Sequence, residues 1–316
     1  MSFLARPQCQ RAWRCITPLL LACLTACVSA PRSPEVLTQK KPAAHYPDFE
    51  DLAFTLPLRA FLRSPSGAQR SAWSKPVQLT IYIEGDGAAW QNRFTPPQDP
   101  TPFDPLAAQL ANQDPSAWLA YLGRPCQYLD ADALAHCDPS LWREARFGSQ
   151  ALALSDEAVT RVRAAVVARW QIQHAQQLQG VKPLPEPKVH IRLIGYSGGG
   201  ALAALLASGR ADITCLITVA APLDTKVWTD LQILSPLRSS LNPATPSPRL
   251  ASITQTHWFG AKDRVVPPTS IGDYAKHNLG PQGEVWVVDG YDHRLTWVES
   301  WPRLLAKSCR TDSAAR

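Results

Sequence analysis

The sequence lacks the patterns that identify several large classes of protein. No run of lysine and arginine is interleaved with aromatic residues, and the basic residues are scattered among acidic ones, so we expect no nucleic-acid partner. No CxxC pair and no cluster of cysteine and histidine occurs, which argues against a zinc site. No segment repeats along the 316 residues, so we expect one domain with appendages.

The N-terminus has the order of segments that is typical of an export signal. A basic stretch ending at Arg14 precedes an apolar run, Cys15 to Leu24, which is too short to span a bilayer. The following Leu24-Thr25-Ala26-Cys27 resembles the lipobox of bacterial lipoproteins, which implies that Cys27 is lipidated and becomes the mature N-terminus. Cys23 ends a second match with a shorter apolar run, and a plain secretory signal is the simpler alternative.

This resemblance also implies a location and a division of the chain. Because Val28 rather than aspartate follows Cys27, the sorting rule of that family implies an outer-membrane anchor facing the periplasm. Removal of residues 1–26, with their three arginines and no acid, lowers the formal net charge from +6 to +3. Residues 27–50 are rich in proline, lysine and small residues and suit a flexible tether, which leaves residues 51–316 for the folded domain.

Apolar strands and amphipathic helices alternate along the domain. Strands are predicted at 77–83, 118–122, 189–194, 213–220, 253–259 and 284–288, and helices near 105–112, 156–178, 199–208, 269–278 and from 297. Ser155 is the expected N-cap of the long second helix. The alternation predicts an α/β fold with a mostly parallel sheet and helices on both faces. Insertions at about 123–154 and 222–250 follow strands, so both should lie over the carboxyl edge of the sheet.

Four cysteines remain in the predicted mature domain. An exported protein meets an oxidising compartment, in which disulfides persist. Cys126 and Cys137 lie close together in the first insertion and are the expected pair. Cys215 lies in an apolar run and is equally consistent with a buried thiol, so its pairing with Cys309 stays open.

A G-x-S-x-G motif follows one of the predicted strands directly. The strand at 189–194 leads into Gly195-Tyr196-Ser197-Gly198-Gly199 and then into an alanine- and leucine-rich helix. A tight strand-to-helix turn of this kind exposes a nucleophilic serine and directs the next backbone N–H towards an oxyanion. A glycine-rich structural turn is the alternative, although the spacing fits neither G-x-G-x-x-G nor a Walker loop.

A serine nucleophile needs a base and an acid that orients the base, and both follow later strands. Asp263 follows the strand at 253–259, and His293 follows the strand at 284–288. The order Ser197, Asp263, His293 resembles that of the α/β-hydrolase family, a likeness that covers about 77–309. Asp224 is the rival acid, and Asp292 adjoins the histidine but is expected to point away from it.

The same resemblance implies an oxyanion site made of backbone N–H groups. Gly198 supplies one donor, and the loop after the first strand, Gly85 and Asp86, supplies the second. Glu84 stands where many members of the family carry histidine, which leaves its hydrogen-bond partner open. A metal ligand or an acid in its own right are the alternative roles for Asp86, but no partner carboxylate clusters with it in sequence, so both are less favoured and no metal is expected.

The resulting prediction is a serine hydrolase that cleaves an ester or related acyl bond without a cofactor. The implied substrate is a small-molecule or lipid-like acyl compound, and the sequence does not distinguish a carboxylic ester from a thioester or an amide. Four tryptophans on or near the expected mouth are candidates for an apolar acyl pocket, although large aromatics are more often core: Trp90, Trp118, Trp142 and Trp228. A non-catalytic envelope lipoprotein that uses the fold for binding is the alternative, since fold alone does not establish activity.

Overall fold

The structure, a computed structural model, describes residue 46 and residues 48–65, 76–87, 97–175 and 186–310. All of these belong to one of two units of the chain, 33–316. The predicted leader, the lipidation site Cys27, most of the tether and Trp90 lie outside the described residues. Within these ranges, no helix has the length and apolar character needed to cross a membrane.

The described residues contain one eight-stranded sheet in the order β1-β2-β4-β3-β5-β6-β7-β8. Neighbouring strands from β4 to β8 are parallel, whereas β2 runs antiparallel to both β1 and β4. The predicted mostly parallel sheet is therefore confirmed. The strands are β1 Glu50–Asp51, β2 Ala60–Arg63, β3 Val77–Ile83, β4 Trp118–Leu122, β5 Val189–Tyr196, β6 Ile213–Val219, β7 Thr254–Gly260 and β8 Gly283–Val288.

Helices cover both faces of this sheet, as the sequence predicts. On one face, β3 presents Leu79 and Ile81 to the apolar sides of the helices at 149–175 and 198–209, and on the other Tyr82 packs with the helices at 106–112 and 297–305. Side chains alternate across a strand, so each face has its own core. The helices are α1 Leu106–Asn112, α2 Ala131–Ala135, α3 Ser149–Ala175, α4 Gly198–Gly209, α5 Thr225–Leu231, α6 Pro248–Ser252, α7 Tyr274–Asn278 and α8 Trp297–Leu305.

The predicted start of the long helix is wrong. Helix α3 begins at Ser149, and Ser155 lies inside it, buried, where its hydroxyl donates to the carbonyl of Ala151 at 2.8 Å. The alanines and leucines before Ser155 have high helix propensity and extend the helix towards the N-terminus, beyond the acidic pair that suggested a first turn. The expected helix at 269–278 is likewise divided into a 3-10 turn, Pro268–Ile271, and α7.

The two predicted insertions contact each other. Ser240 accepts from the backbone N–H of Phe147 at 3.1 Å and donates to the carbonyl of Glu144 at 2.7 Å. The backbone N–H of Leu241 donates to the carbonyl of Phe147 at 3.0 Å. These bonds fix the second insertion, from 222 to 250, against the end of the first.

The part of the chain that the structure describes contains two disulfides. Cys126 is bonded to Cys137, the pair expected from the sequence, and Cys215 is bonded to Cys309. The alternative of a buried free thiol at Cys215 is therefore wrong. The first bond closes a loop inside the first insertion, and the second ties β6 to the residue four positions beyond α8.

Candidate active site

Ser197 occupies the turn between β5 and α4 in a strained backbone conformation. Its φ of 52° and ψ of −127° lie in a region that side-chain-bearing residues rarely adopt. The flanking glycines allow the turn, because a Cβ at Gly195 would overlap the backbone of Gly199, and a Cβ at Gly199 would overlap the carbonyls of Ile83 and Glu84. The sequence therefore forces the serine outward at the carboxyl edge of the sheet.

The structure brings Ser197, His293 and Asp263 into one hydrogen-bonded chain. Nε2 of His293 lies 3.1 Å from Oγ of Ser197, and Nδ1 lies 2.8 Å from Oδ2 of Asp263. The carboxylate can only accept, so Nδ1 carries the proton and Nε2 is left to accept from the serine.

The Asp263 carboxylate is held rigidly by backbone groups. Its Oδ1 accepts from the N–H groups of Val265 and Val266, each at 2.8 Å, and its side chain is fully buried. The turn that begins after β7 thus orients the carboxylate of Asp263 independently of its bond to His293. This arrangement fits the role that the sequence assigns to Asp263.

The two ring nitrogens of His293 bond to Asp263 and Ser197, and the carboxylates of the two rival acids have other hydrogen-bond partners. Asp224 is the N-cap of α5, and its carboxylate accepts from the backbone of Lys226, Val227 and Asp273 and from the side chain of Asn242. Burial raises the pKa of Asp224, but these donors outweigh it and the pKa is lowered. The structure therefore gives Asp224 a structural role.

Asp292 points into the turn that follows the histidine. Its Oδ1 accepts from the N–H groups of Arg294 at 2.8 Å and Leu295 at 2.7 Å, and these bonds lower its pKa. The side chain therefore bonds to the loop that follows His293 and not to the imidazole, in line with the expectation that it points away from the histidine.

Tyr196 is a site residue that the sequence did not single out. Its hydroxyl donates to the backbone carbonyl of His293 at 3.0 Å, and its ring packs on the imidazole at a centroid distance of 5.3 Å. The variable position of the G-x-S-x-G motif thus connects the nucleophile turn to the histidine loop. No sequence signal marks this role, because that motif places no requirement on the residue.

Glu84 has a full set of hydrogen bonds beside the nucleophile turn. Its carboxylate accepts from the N–H of Gly85 at 2.8 Å, from the hydroxyl of Tyr121 at 2.9 Å and from the N–H of Ala107 at 3.4 Å. Burial raises the pKa of Glu84 even though these donors oppose the shift. A Cβ placed on Gly85 would lie 3.3 Å from that of Ser197, so this loop lies against the nucleophile.

The side chain of Asp86 is paired with two arginines from the first insertion. Oδ2 accepts from Arg146 at 2.7 Å, and Oδ1 forms a short ion pair with Arg124. Burial raises the pKa of Asp86, but Arg146 and Arg124 outweigh it and the pKa is lowered. The sequence analysis did not foresee these partners of the Asp86 side chain, because two arginines 38 and 60 positions away carry no pattern that connects them to it.

Ser197 and His293 open into a cleft of about 1250 Å³. Its apolar wall comes largely from the second insertion, and the apolar residues that line it include Trp228, Ile233, Leu234, Pro236, Leu237 and Val265. Of the tryptophans expected near the mouth, Trp228 lines the cleft, whereas Trp118 and Trp142 are buried in core clusters.

Among the described residues, no three or more histidine, cysteine, aspartate or glutamate side chains cluster in a way that could hold a metal ion. His257 is fully buried and bonds to Thr218 and Gln255, in the structural role that its strand position suggests. Asp86, the carboxylate weighed as a metal ligand, is instead neutralised by arginine.

Comparison with known proteins gives the fold. No protein-family model and no curated protein matches the sequence. Two crystal structures of puromycin hydrolase, one of a mutant complexed with PGG, align with a TM-score of 0.51 and 15% identity over 83% and 82% of this chain. This chain has the α/β-hydrolase fold. It spans 38% of the length of those puromycin hydrolase chains. The esterase domain of a Rhodothermus marinus protein aligns over 83% of this chain and 98% of its own, with 13% identity and a TM-score of 0.46.

Proposed function

We propose that this α/β-hydrolase-fold protein is a serine hydrolase that cleaves an ester or related acyl bond through an acyl-enzyme. The observation that carries the proposal is the chain of hydrogen bonds from Ser197 through His293 to Asp263, with distances of 3.1 and 2.8 Å. A serine hydroxyl becomes an effective nucleophile only when such a base and orienting acid are in place. The fold shared with the puromycin hydrolases is consistent with this chemistry.

The proposed reaction combines side chains and backbone groups of this chain with one molecule of water. As the Oγ of Ser197 bonds to the substrate carbonyl carbon, its proton moves to Nε2 of His293, and Asp263 stabilises the imidazolium. The carbonyl oxygen becomes an oxyanion, for which Gly198 and Asp86 offer backbone N–H groups. Its collapse breaks the bond to the leaving group, which takes the proton from His293. Water then attacks the acyl-serine by the same route and releases the acid.

The cleft favours a small-molecule or lipid-like acyl substrate. Its wall of Trp228, Ile233 and Leu234 is apolar and partly open to solvent, so it suits a hydrocarbon chain more than a charged one. Burial of each methylene of such a chain contributes about 0.8 kcal/mol to binding. We therefore expect the acyl carbonyl group of the substrate to lie at Ser197 and its hydrocarbon chain to lie along the second insertion.

For the location, the proposal is a lipid anchor at Cys27 on the outer membrane, facing the periplasm. It is based on the lipobox-like sequence and on the two disulfides, which suit an oxidising compartment. The intact mass of protein extracted from membranes tests it. A diacylated or triacylated mature N-terminus at Cys27 is expected, and an unmodified N-terminus elsewhere would remove the anchor.

Labelling of the purified protein with a fluorophosphonate probe tests the proposed activity. The probe should react at Ser197, and Ser197→Ala should abolish the label. A panel of esters of graded acyl length, with matched thioesters and aryl amides, then identifies the bond. A correctly folded protein that neither takes the label nor turns over any of these compounds would be the non-catalytic binding protein instead.

A further inference from the structure

The pair of arginines on Asp86 has no part in the proposed chemistry so far, yet it lies beside the atoms that react. A Cβ added to Gly198 would overlap the carboxylate of Asp86 and lie 2.7 Å from Nη1 of Arg124. The carboxylate therefore packs directly on the residue whose N–H is a predicted oxyanion donor. An uncompensated negative charge at this place would oppose the developing oxyanion, because like charges repel at short range and the buried surroundings reduce screening by water.

Both arginines are buried, and they bind both oxygens of this carboxylate. Side chains of Arg124 and Arg146 are 4% and 6% exposed, and that of Asp86 is 18% exposed. Arg124 also donates to the carbonyl of Arg146 at 2.6 Å and lies over the ring of Phe147, while Nε of Arg146 donates to the carbonyl of Arg143 at 2.6 Å. Two guanidinium groups that are themselves held in place fix the orientation of a carboxylate and also neutralise its charge.

The peptide that joins Gly85 to Asp86 is held from a second side. Nε2 of Gln127 donates to the carbonyl of Gly85 at 3.0 Å, and Oε1 of the same side chain accepts from the backbone N–H of Arg124 at 2.9 Å. In a planar trans peptide the C=O and the N–H point in opposite directions. The bond from Gln127 therefore turns the N–H of Asp86 away from Gln127.

We propose that Arg124 and Arg146 are positioning residues for the oxyanion site, which act by holding and neutralising the Asp86 carboxylate so that the backbone N–H groups of Asp86 and Gly198 can receive a negatively charged oxygen. This inference rests on the proposed hydrolase function. It assigns the first insertion a part in the reaction, because Arg124, Gln127 and Arg146 all belong to that segment. The disulfide from Cys126 to Cys137 closes a loop that contains Gln127 and begins two residues after Arg124.

The test compares Arg146→Gln with the double variant Asp86→Asn/Arg146→Gln. The single change exposes the oxyanion to an incompletely paired carboxylate, so kcat for a neutral short-chain ester should fall by about 10- to 100-fold while KM changes less than about threefold. The double change also removes the negative charge, and kcat should recover at least about tenfold from the single variant. Arg146→Lys, which keeps the charge, should lose less than Arg146→Gln.

A second readout separates positioning from general damage to the fold. The affinity of a trifluoromethyl ketone, which forms a tetrahedral oxyanion adduct with serine, should fall in parallel with kcat/KM. Arg210→Gln is the matched control, because Arg210 also bonds to two carboxylates, Asp156 and Asp212, but lies beyond α4 at the amino end of β6. That variant should lose thermal stability and keep its kcat.

Each outcome decides between specific alternatives. If wild-type protein is not labelled by fluorophosphonate, the proposed function fails before this inference is reached. If wild type is active and Arg146→Gln, folded and labelled at Ser197, keeps its kcat, the inference is wrong. The inference is also overturned if the kcat of the double variant is no higher than that of Arg146→Gln. It is likewise overturned if Arg146→Gln reduces turnover only of esters with an anionic acyl group, because Arg146 would then bind the substrate directly.

Discussion

The hydroxyl of Tyr196 lies 3.0 Å from the carbonyl oxygen of His293, across 97 residues of sequence. It joins the residue before the proposed nucleophile to the residue proposed to activate it, so the two loops that the proposed reaction brings together are connected directly. Because the bond is to the backbone of His293, it fixes the position of the loop and leaves both ring nitrogens for Ser197 and Asp263.

Tyr196→Phe should therefore lower kcat by about three- to tenfold, because a hydrogen bond of about 1 kcal/mol that aligns the base is lost. KM should change little, since the apolar ring remains. Tyr274→Phe is the control: it removes a 2.6 Å hydrogen bond to Gln255 away from the site and should affect thermal stability alone. Equal kcat values for wild type and Tyr196→Phe would mean that the loop is positioned by other contacts.

Substitutions of Ser197, His293 and Asp263 should reduce turnover to different extents. His293→Ala should reduce turnover by about 10⁴-fold or more, and Asp263→Asn should be severe but milder. The losses should not add, because the residues act as a unit, so a Ser197/His293 double variant should be barely worse than either single change.

Asp224→Asn provides the comparison for the acid. Asp224→Asn can keep the three bonds that Oδ1 accepts, because asparagine caps a helix about as well as aspartate, but its NH2 group replaces Oδ2, which accepts from the N–H of Asp273. Loss of that one bond should lower the free energy of unfolding by roughly 1–2 kcal/mol and leave kcat nearly intact. If Asp224→Asn reduced turnover more than Asp263→Asn did in equally folded variants, Asp224 and not Asp263 would be the acid that orients His293.

The parts of the site that could be predicted from the sequence are those carried by strand ends. Ser197, Asp263 and His293 each follow an apolar strand after a short turn, and parallel strands bring their carboxyl ends to one edge. The roles of Arg124, Arg146 and Tyr196 depend on contacts between distant segments, and no local period or motif records such contacts. Strands β1 and β2 escaped prediction because two and four residues are too few to show alternation.

The exposed apolar residues of the second insertion predict a dependence on acyl length. Ile233 is 94% exposed and lines the cleft beside Leu234. Ile233→Ser/Leu234→Ser should lower kcat/KM for long-chain esters by about tenfold or more and change that for acetyl esters little, because only a long chain covers these side chains. Ile172→Ser is the control, since Ile172 is 60% exposed on α3. A uniform effect across the ester panel would argue against this wall as the acyl site.

The two disulfides predict different consequences of removal. In the chain-entropy account, loss of the bond from Cys126 to Cys137, 11 residues apart, costs about 3 kcal/mol, and loss of the bond from Cys215 to Cys309, 94 residues apart, nearly 5 kcal/mol. Only the first restrains the segment that holds Asp86. Cys126→Ser/Cys137→Ser should therefore lose kcat beyond its loss of stability, whereas Cys215→Ser/Cys309→Ser should lose more stability and keep kcat at temperatures below its unfolding transition.

The buried imidazole of His257 predicts how stability depends on pH. The amide of Gln255 donates through Nε2 to the carbonyls of Leu250 and Asn278, so its Oε1 must accept from Nε2 of His257 at 3.1 Å. The other ring nitrogen, Nδ1, then accepts from the hydroxyl of Thr218 at 2.8 Å. Both nitrogens are satisfied in the neutral form, and burial lowers the pKa of His257 to about 3.

Between this folded-state pKa of about 3 and the unfolded value near 6.5, the unfolded chain binds a proton at this residue that the folded chain does not. The contribution of His257 to the free energy of unfolding is therefore fully present above about pH 6.5 and decreases by about 1.4 kcal/mol for each pH unit below it. Urea unfolding measured from pH 7 to pH 4 should show this slope together with that of other groups. His257→Gln should reduce this slope by about 1.4 kcal/mol per pH unit, the contribution of one proton, whatever its effect on stability at pH 7. His136→Gln is the control for loss of an exposed histidine. An unchanged slope in His257→Gln would mean that the core admits the proton and that the imidazole is not held neutral by its surroundings.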